Sequence, residues 1–199
     1  KTPLSVIKFG VDSFKNDQAN HAKNQVWALR VDNAADTINH ILNQCLLADK
    51  FEFGLANYQE EQVNLHAEFS QIVERVGYLN PSYPERIHWE FSNSLPIDTK
   101  LYVDPIFLRS ILENLISNAL KYSATNSKIF LTVSQSTLGI VPKFEFQIKN
   151  QIGKVGPPQI DKIFARYYRA EEAKGYSGTG LGLWLANEQA KAMSASIRC

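Results

Sequence analysis

The chain has 199 residues, enough for one or two domains with a sizeable core, and 44% of them are hydrophobic, an ordinary balance for a soluble globular protein. A formal net charge of +1 with no basic tract gives polyanions little attraction and argues against a nucleic-acid partner. Two cysteines, Cys45 and Cys199, make neither a disulfide framework nor a metal cluster. No run of 18 apolar residues marks a membrane span, and no signal peptide opens the chain.

Leu4, Ile7, Val11 and Phe14 recur at spacings of three and four. Val31, Ala34, Ile38, Ile41, Cys45 and Ala48 continue the seam beyond a polar break at 16–24. This pattern predicts an antiparallel helical hairpin. One hairpin leaves an apolar stripe uncovered, and a second hairpin closing a four-helix bundle would bury it. Packing on the remainder of the same chain would bury it too. The heptad stops around 53–62, where Gly54 and Asn57 mark a hinge, so the sequence predicts domains at 1–57 and 58–199.

In the second domain, Leu65, Phe69, Ile72, Val73 and Val76 predict a helix, and Ile87, Trp89 and Phe91 a strand after the prolines at 81 and 84. A strand at 101–103 follows. Asp104-Pro105 is a helix start, with Asp as cap and Pro in the first turn. Ile129, Leu131, Val133 and Phe144, Phe146, Ile148 alternate with period two, predicting a hairpin across a loop at 134–143. The fold class expected is α+β, with the hairpin followed by helices on one face of a mixed sheet, a two-layer sandwich.

Two segments carry chemistry. In the helix through residues 113–123, ENLISNALKYS, about 100° per residue puts Leu108, Ile111, Leu112, Leu115, Ile116 and Ala119 on one broad face. Asn114, Asn118 and Lys121 form a polar stripe beside it. Two carboxamides and a lysine offer neutral oxygens for hydrated Mg²⁺ and a cation for phosphate, and they also make an ordinary polar helix edge. The second segment is GTGLGL at 178–183. Its glycines let backbone N–H groups approach a ligand just before a helix N-terminus, which favours anions. They do not follow a strand, and no Lys-Ser or Lys-Thr pair comes after them, which excludes the dinucleotide and P-loop fingerprints.

Together these segments resemble the catalytic core of bacterial sensor histidine kinases, with the ATP-binding fold shared by gyrase-type ATPases and Hsp90, and the resemblance covers essentially the whole chain. Residues 113–122 resemble the family's N box, 163–169 (IFARYYR) its F box, and 177–183 its second glycine box. The opening KTPLSVI resembles the end of an H box, which implies a phosphoaccepting histidine just upstream of Lys1. His21, His40, His66 and His88 fall in none of these motifs.

The resemblance implies binding of ATP and Mg²⁺. It makes Asn118 the metal ligand, puts Asn114 beside it, Lys121 on the phosphates and Tyr122 along the nucleotide. Asn150, Gly153, Gly178, Thr179, Gly180, Leu181 and Gly182 complete the binding loops. Arg166 and Arg169 would reach the γ-phosphate, with a salt bridge to Glu171 or Glu172 as the alternative for one of them. Thr2 would orient water for dephosphorylation of a response regulator, or cap the helix at Pro3. Residues 170–176 are similar to the family's ATP lid, and a short helical cap is the other reading.

The family's first glycine box usually has Asp-x-Gly-x-Gly. Here KNQIGKVGPP puts Asn150 at the aspartate and displaces Gly153 and Gly156, which forgoes a charge-assisted bond and implies weaker ATP binding. Asn114 stands where related ATPases have a water-activating glutamate, which implies slow hydrolysis. The family's sheet usually continues beyond a segment resembling 193–198, so the expected sheet is truncated. The expected partners are a second copy through the hairpin and a response-regulator receiver domain, with no direct membrane contact by this segment. The expected location is the cytoplasmic side of a bacterial inner membrane in which the parent protein is anchored. A nucleotide-gated scaffold or a regulator phosphatase is the alternative function.

Overall fold

A computed structural model describes residues 3–16, 21–79, 84–92, 95–136, 143–173, 175–176 and 178–199. The chain divides into two compact units, 1–56 and 57–199. The first holds helices α1 (Pro3–Asn16) and α2 (His21–Glu52), which pack on each other. Ala34 and Ala48 are buried, and Val31, Ile38, Ile41 and Cys45 are half-buried on the same side of α2. Leu42 and Leu46, about 40° apart around α2 and next to the buried row, stay exposed, as does Phe53 just beyond the helix. The hairpin therefore covers part of its apolar surface and presents the rest.

The second unit runs β1 (Glu61–Asn64), α3 (Leu65–Leu79), β2 (Ile87–Phe91), β3 (Lys100–Val103), α4 (Pro105–Tyr122), β4 (Ile129–Ser136), β5 (Lys143–Asn150) and α5 (Gly182–Ala192), with short 3₁₀ turns at Pro84–Arg86 and Glu171–Ala173. Its strands lie in two sheets. The larger has the order β2-β4-β5, with β2 parallel to β4 and β5 antiparallel, and β1 pairs with β3 antiparallel in the smaller. The sequence predicted neither β1 nor this division. Four residues that are exposed or half-buried carry no legible alternation.

One core joins both sheets to α3 and α4. Ile129, Leu131 and Val133 of β4 are buried against Leu108, Leu112 and Ile116 of α4 and Leu65 and Ile72 of α3. Phe69 of α3 sits among the rings of Trp89, Phe91 and Phe146 at 5.5–6.1 Å between centroids. An ion pair from Arg109 to Glu68, at 2.6 Å, ties α4 to α3. Another side of α4 packs on α5, where Ile111 meets Ala186 and Ala190, with Leu115 and Met193 partly buried beside them. These two contacts leave the Asn114–Asn118–Lys121 stripe half-buried.

One residue of α5 breaks the apolar pattern. Gln189 is fully buried, and neither of its amide atoms finds a hydrogen-bond partner in the structure. A buried unpaired amide costs about 1–3 kcal/mol. Gln189→Leu, close in volume, is therefore expected to raise the urea midpoint, with a stability gain of about 1–2 kcal/mol and an unchanged m-value. A lowered midpoint would mean that the amide is paired.

Candidate functional site

The polar end of α4, the loop after β5 and the turn before α5 converge. Asp104 caps α4 by accepting from the N–H groups of Ile106 and Phe107 at 2.9 and 3.0 Å, with Pro105 in the first turn. The helix then runs to Tyr122. Asn114 donates from Nδ2 to the carbonyl of Ser110 at 2.8 Å, which directs that side chain along its own helix. Asn118 lies one turn further on, half-buried. The Lys121 ammonium lies 4.9 Å from the centroid of the Tyr122 ring. It is also 3.1 Å from the point where a Cβ on Gly178 would stand. That contact joins two segments that the sequence separates widely.

The loop after β5 closes on the same helix end. Gly153 donates to the carbonyl of Tyr122 at 3.1 Å, and Ala124 to that of Gln151 at 3.0 Å. A Cβ at Gly153 would stand 2.5 Å from the Tyr122 carbonyl oxygen and 2.7 Å from that of Ser123. Any side chain there would push the loop off α4. Asn150 ends β5 on the same side as Phe144, Phe146 and Ile148, which pack on the core, but it is itself exposed. Its Nδ2 reaches the Gln151 carbonyl at 3.4 Å, a long and weak bond.

The turn before α5 is held by the F-box segment. Tyr167 donates to the carbonyl of Gly180 at 3.1 Å. Gly180 has φ +75°, and a Cβ there would meet the backbone of Tyr167 at 2.7–2.9 Å. Tyr167 has φ +62°, a left-handed conformation that costs a bulky residue about 1–2 kcal/mol and marks strain held by its surroundings. The neighbouring Arg166 guanidinium stacks on the rings of Tyr167 and Trp184, 5.0 and 5.2 Å from their centroids. Leu181, fully buried, precedes α5, and its N–H donates to the Thr179 hydroxyl at 3.2 Å. Gly182 opens α5, whose first turn has no side-chain cap at its N-cap position and can receive an anion.

Arg169 bonds to backbone carbonyls of the following segment. Its Nη2 donates to the carbonyls of Ala173, at 3.0 Å, and Tyr176. The Tyr176 ring lies 5.5 Å from that of Tyr122. Thr2 lies outside the described residues. Tyr167, Tyr176 and Trp184, which the sequence reading did not single out, carry much of the site. Tyr176 stands two residues before the glycine turn, and its aromatic character was the available signal.

Among the described residues no group of three His, Cys, Asp or Glu side chains could hold a metal ion, and no helix is long and apolar enough to cross a membrane.

Residues 103–199 match the family model of histidine kinase-, DNA gyrase B- and HSP90-like ATPases. In solved structures the chain is similar to the Acinetobacter baumannii histidine kinase AdeS, with a TM-score of 0.62 at 18% identity, covering 99% of this chain and 87% of that one. Full-length ShkA in complex with AMPPNP gives a TM-score of 0.60 at 18% identity, over 98% and 42% of the two chains. The fold is thus that of these histidine kinase structures, and residues 103–199 are similar to the ATPase family.

The sequence relatives narrow the class. The sensor histidine kinase WalK of Bacillus subtilis (strain 168) is 27% identical over 169 residues, 83% of this chain and 26% of that protein. The aerobic respiration control sensor protein ArcB of Escherichia coli (strain K12) is 28% identical over 202 residues, 99% of this chain and 25% of that protein. These relatives, with the family model, support a reading of the chain as an ATP-binding histidine kinase catalytic domain. The chain spans about a quarter of the length of these curated relatives.

Proposed function

We propose that the chain binds Mg-ATP between the C-terminal half of α4 and the N-terminus of α5. The γ-phosphoryl group then passes to a histidine on a helical hairpin and on to an aspartate of a response-regulator receiver domain. The observation that carries this reading is the Lys121 ammonium beside Gly178, 3.1 Å from where a Cβ on that glycine would stand. It sets a cation at the mouth of an uncapped helix N-terminus, a pairing suited to a polyphosphate.

The donor set fits Mg²⁺. A metal held by phosphate oxygens and water needs one or two protein oxygens rather than a carboxylate cage, and the half-buried carboxamide of Asn118 is of that kind, with Asn114 beside it. When bound, Mg²⁺ would neutralise charge on the β- and γ-phosphates. Lys121 would hold the phosphate tail. Arg166, stacked on Tyr167 and Trp184, would face charge developing on the transferred group. A neutral imidazole nitrogen attacks phosphorus, a P–N bond forms, the bond to the bridging oxygen breaks, and ADP leaves with that electron pair. Positioning and charge neutralisation supply the catalysis. Asn114 has no basic group with which to activate water, so hydrolysis would compete poorly. Asn150 would accept the adenine amino proton as a neutral group, and Tyr122 would lie along the base.

We assign the 1–57 hairpin to dimerisation and phosphotransfer, and 58–199 to nucleotide binding. The exposed Leu42, Leu46 and Phe53 support the first assignment, because a second hairpin would bury them. The parent protein would be a membrane-anchored sensor with this part in the cytoplasm.

Isothermal titration of the Mg²⁺ complex of a non-hydrolysable ATP analogue tests the site. Saturable binding is expected, with affinity weakened by about tenfold or more in the Asn118→Asp/Lys121→Ala variant, since each lost contact is to a charged ligand. No binding by the folded chain at millimolar nucleotide would end the catalytic reading.

A further inference from the structure

The strand β2 stands at an end of the larger sheet. It pairs with β4 on one side, and among the described residues no strand lies on the other. The phase of the ladder decides which backbone groups face outward. Ser92 donates to the Val133 carbonyl at 2.8 Å, and Phe91 is the residue opposite Val133. In a parallel ladder that phase turns the N–H and C=O groups of His88, Glu90 and Ser92 toward β4. Those of Ile87, Trp89 and Phe91 point away from it. Edge strands are commonly blunted by lysine, proline, a bulge or extreme shortness. The sequence IHWEF of β2 has neither lysine nor proline, and all five residues keep one register with β4.

A groove of about 440 Å³ lies beside this edge on the helix-covered face of the sheet, lined by Asn64, His66, Ala67, Ser70, Trp89 and Ile97. Its walls are fixed. The Trp89 ring meets Phe69 and Phe91 edge-on at 5.8 and 5.7 Å, yet 42% of the residue is exposed. His66 stacks on Phe91 at 3.6 Å. Asn64 joins the helix to the opposite wall, since its Oδ1 accepts from the Ala67 N–H at 2.8 Å and its Nδ2 donates to the Ile97 carbonyl at 3.2 Å. Leu95 is buried, and the Leu65 N–H donates to the Thr99 carbonyl at 3.0 Å, so the turn bearing Ile97 is anchored on both sides. Ile97 itself is 78% exposed. An isoleucine displayed on an anchored turn beside a half-exposed tryptophan is apolar surface that gains by being covered.

The elements framing the groove are acidic. Glu74 of α3, Glu90 of β2 and Asp98 of the turn are exposed. Of the neighbouring cations, Arg75 pairs with Glu113 and Arg86 bonds to the carbonyls of Ser127 and Ala124, which leaves Lys100 at the start of β3 against three carboxylates.

We propose that β2 takes up an extended segment of a partner protein as an added strand. Apolar side chains at alternate positions of that segment enter the groove beside Trp89 and Ile97, and basic side chains between them face Glu90. The open strand edge calls for an extended main chain, the groove for apolar side chains at period two, and the carboxylates for basic ones. The site lies wholly within the 57–199 unit and does not depend on the nucleotide reading.

The test uses the whole chain and a fluorescein-labelled peptide, Arg-Val-Arg-Leu-Arg-Val-Arg, read by anisotropy and by amide hydrogen exchange. In the free chain the amides of Ile87, Trp89 and Phe91 should exchange faster than those of His88 and Glu90. With peptide at about ten times its dissociation constant, the first three should slow about tenfold by mass action, while the other two change little. Ile97→Lys, at a position exposed enough to spare the fold, should weaken binding about tenfold, as should a peptide with glutamate in place of arginine. Equal protection of all five amides in the free chain would mean that another part of the chain covers the edge. Protection that grows with protein concentration would mean that a second copy does. Either result overturns the assignment to a partner segment, as does equal binding of a peptide of the same composition with its arginines in one block, or no binding at millimolar peptide.

Discussion

Gly180→Ala is expected to destabilise the 57–199 unit by about 3–4 kcal/mol and to lower its thermal midpoint by on the order of 10 °C. Two costs combine. At φ +75° a Cβ meets its own backbone, worth about 1–2 kcal/mol for alanine. The same Cβ would stand 2.7 Å from the carbonyl carbon of Tyr167 and 2.9 Å from its Cα and oxygen. Backbone atoms cannot swing aside as a side chain can, so the segment at 166–168 must move. That movement breaks the bond from Tyr167 to Gly180 and carries Arg166 away from Trp184. Nucleotide affinity should therefore fall with stability. Gly156→Ala separates the two costs, because Gly156 has φ +79° but open space where its Cβ would be. It should lose only the conformational part, about 1–2 kcal/mol, and bind nucleotide with little change. Equal losses in the two variants, read by calorimetry, would remove the close approach of 167 to 180 from the account.

That pair of residues shows which parts of the structure the sequence could hold. The start of α4 was legible because Asp104-Pro105 acts within one turn, and cap chemistry is local. The strands β2, β4 and β5 were legible from alternation, although β4 and β5 run on to Ser136 and from Lys143, where the sequence predicted a loop. The connection between them lies outside the described residues. By contrast, the left-handed conformation of Tyr167 depends on a partner beyond its own neighbourhood, and nothing in IFARYYR announces it. The same holds for the buried amide of Gln189, which occupies an apolar position of α5 with a residue that pattern reading places outside. The glycine spacing pointed to a turn that approaches something. It could not say that Gly178 meets Lys121 while Gly180 meets Tyr167. For Arg169 the sequence offered a phosphate or a carboxylate as partner, and the structure gives it carbonyls, which every residue carries and no sequence distinguishes.

Asp104→Ala should cost about 3 kcal/mol in urea unfolding without abolishing the site. The Asp104 side chain is almost fully buried and satisfies three backbone donors. Oδ1 accepts from Ile106 and Phe107, and Oδ2 accepts from Gln59 at 3.0 Å. The first two bonds are the helix cap, worth about 1–2 kcal/mol. The third ties the entry of the domain to α4, and its loss leaves an N–H in a part-buried place at about 1 kcal/mol or more. Asp104→Ser keeps a capping oxygen but is too short to serve Gln59 as well, so it should recover about half. Asp104→Asn keeps Oδ1 for the cap but turns an NH₂ group toward another N–H, and should recover no more than serine does. If asparagine restores full stability, the bond to Gln59 contributes nothing. The nucleotide side of α4 lies far from this end, since Asp104 and Lys121 are separated by about 25 Å of helix at 1.5 Å per residue. Fraying of the first turn does not reach Lys121. Affinity for Mg-nucleotide, measured well below the unfolding transition, should accordingly change by less than about threefold, whereas Gly180→Ala, milder in chemistry but set at the converging loops, should impair both. A collapse of binding in Asp104→Ala with the fold intact would mean that α4 transmits its first turn to its last, and that the cap belongs to the site.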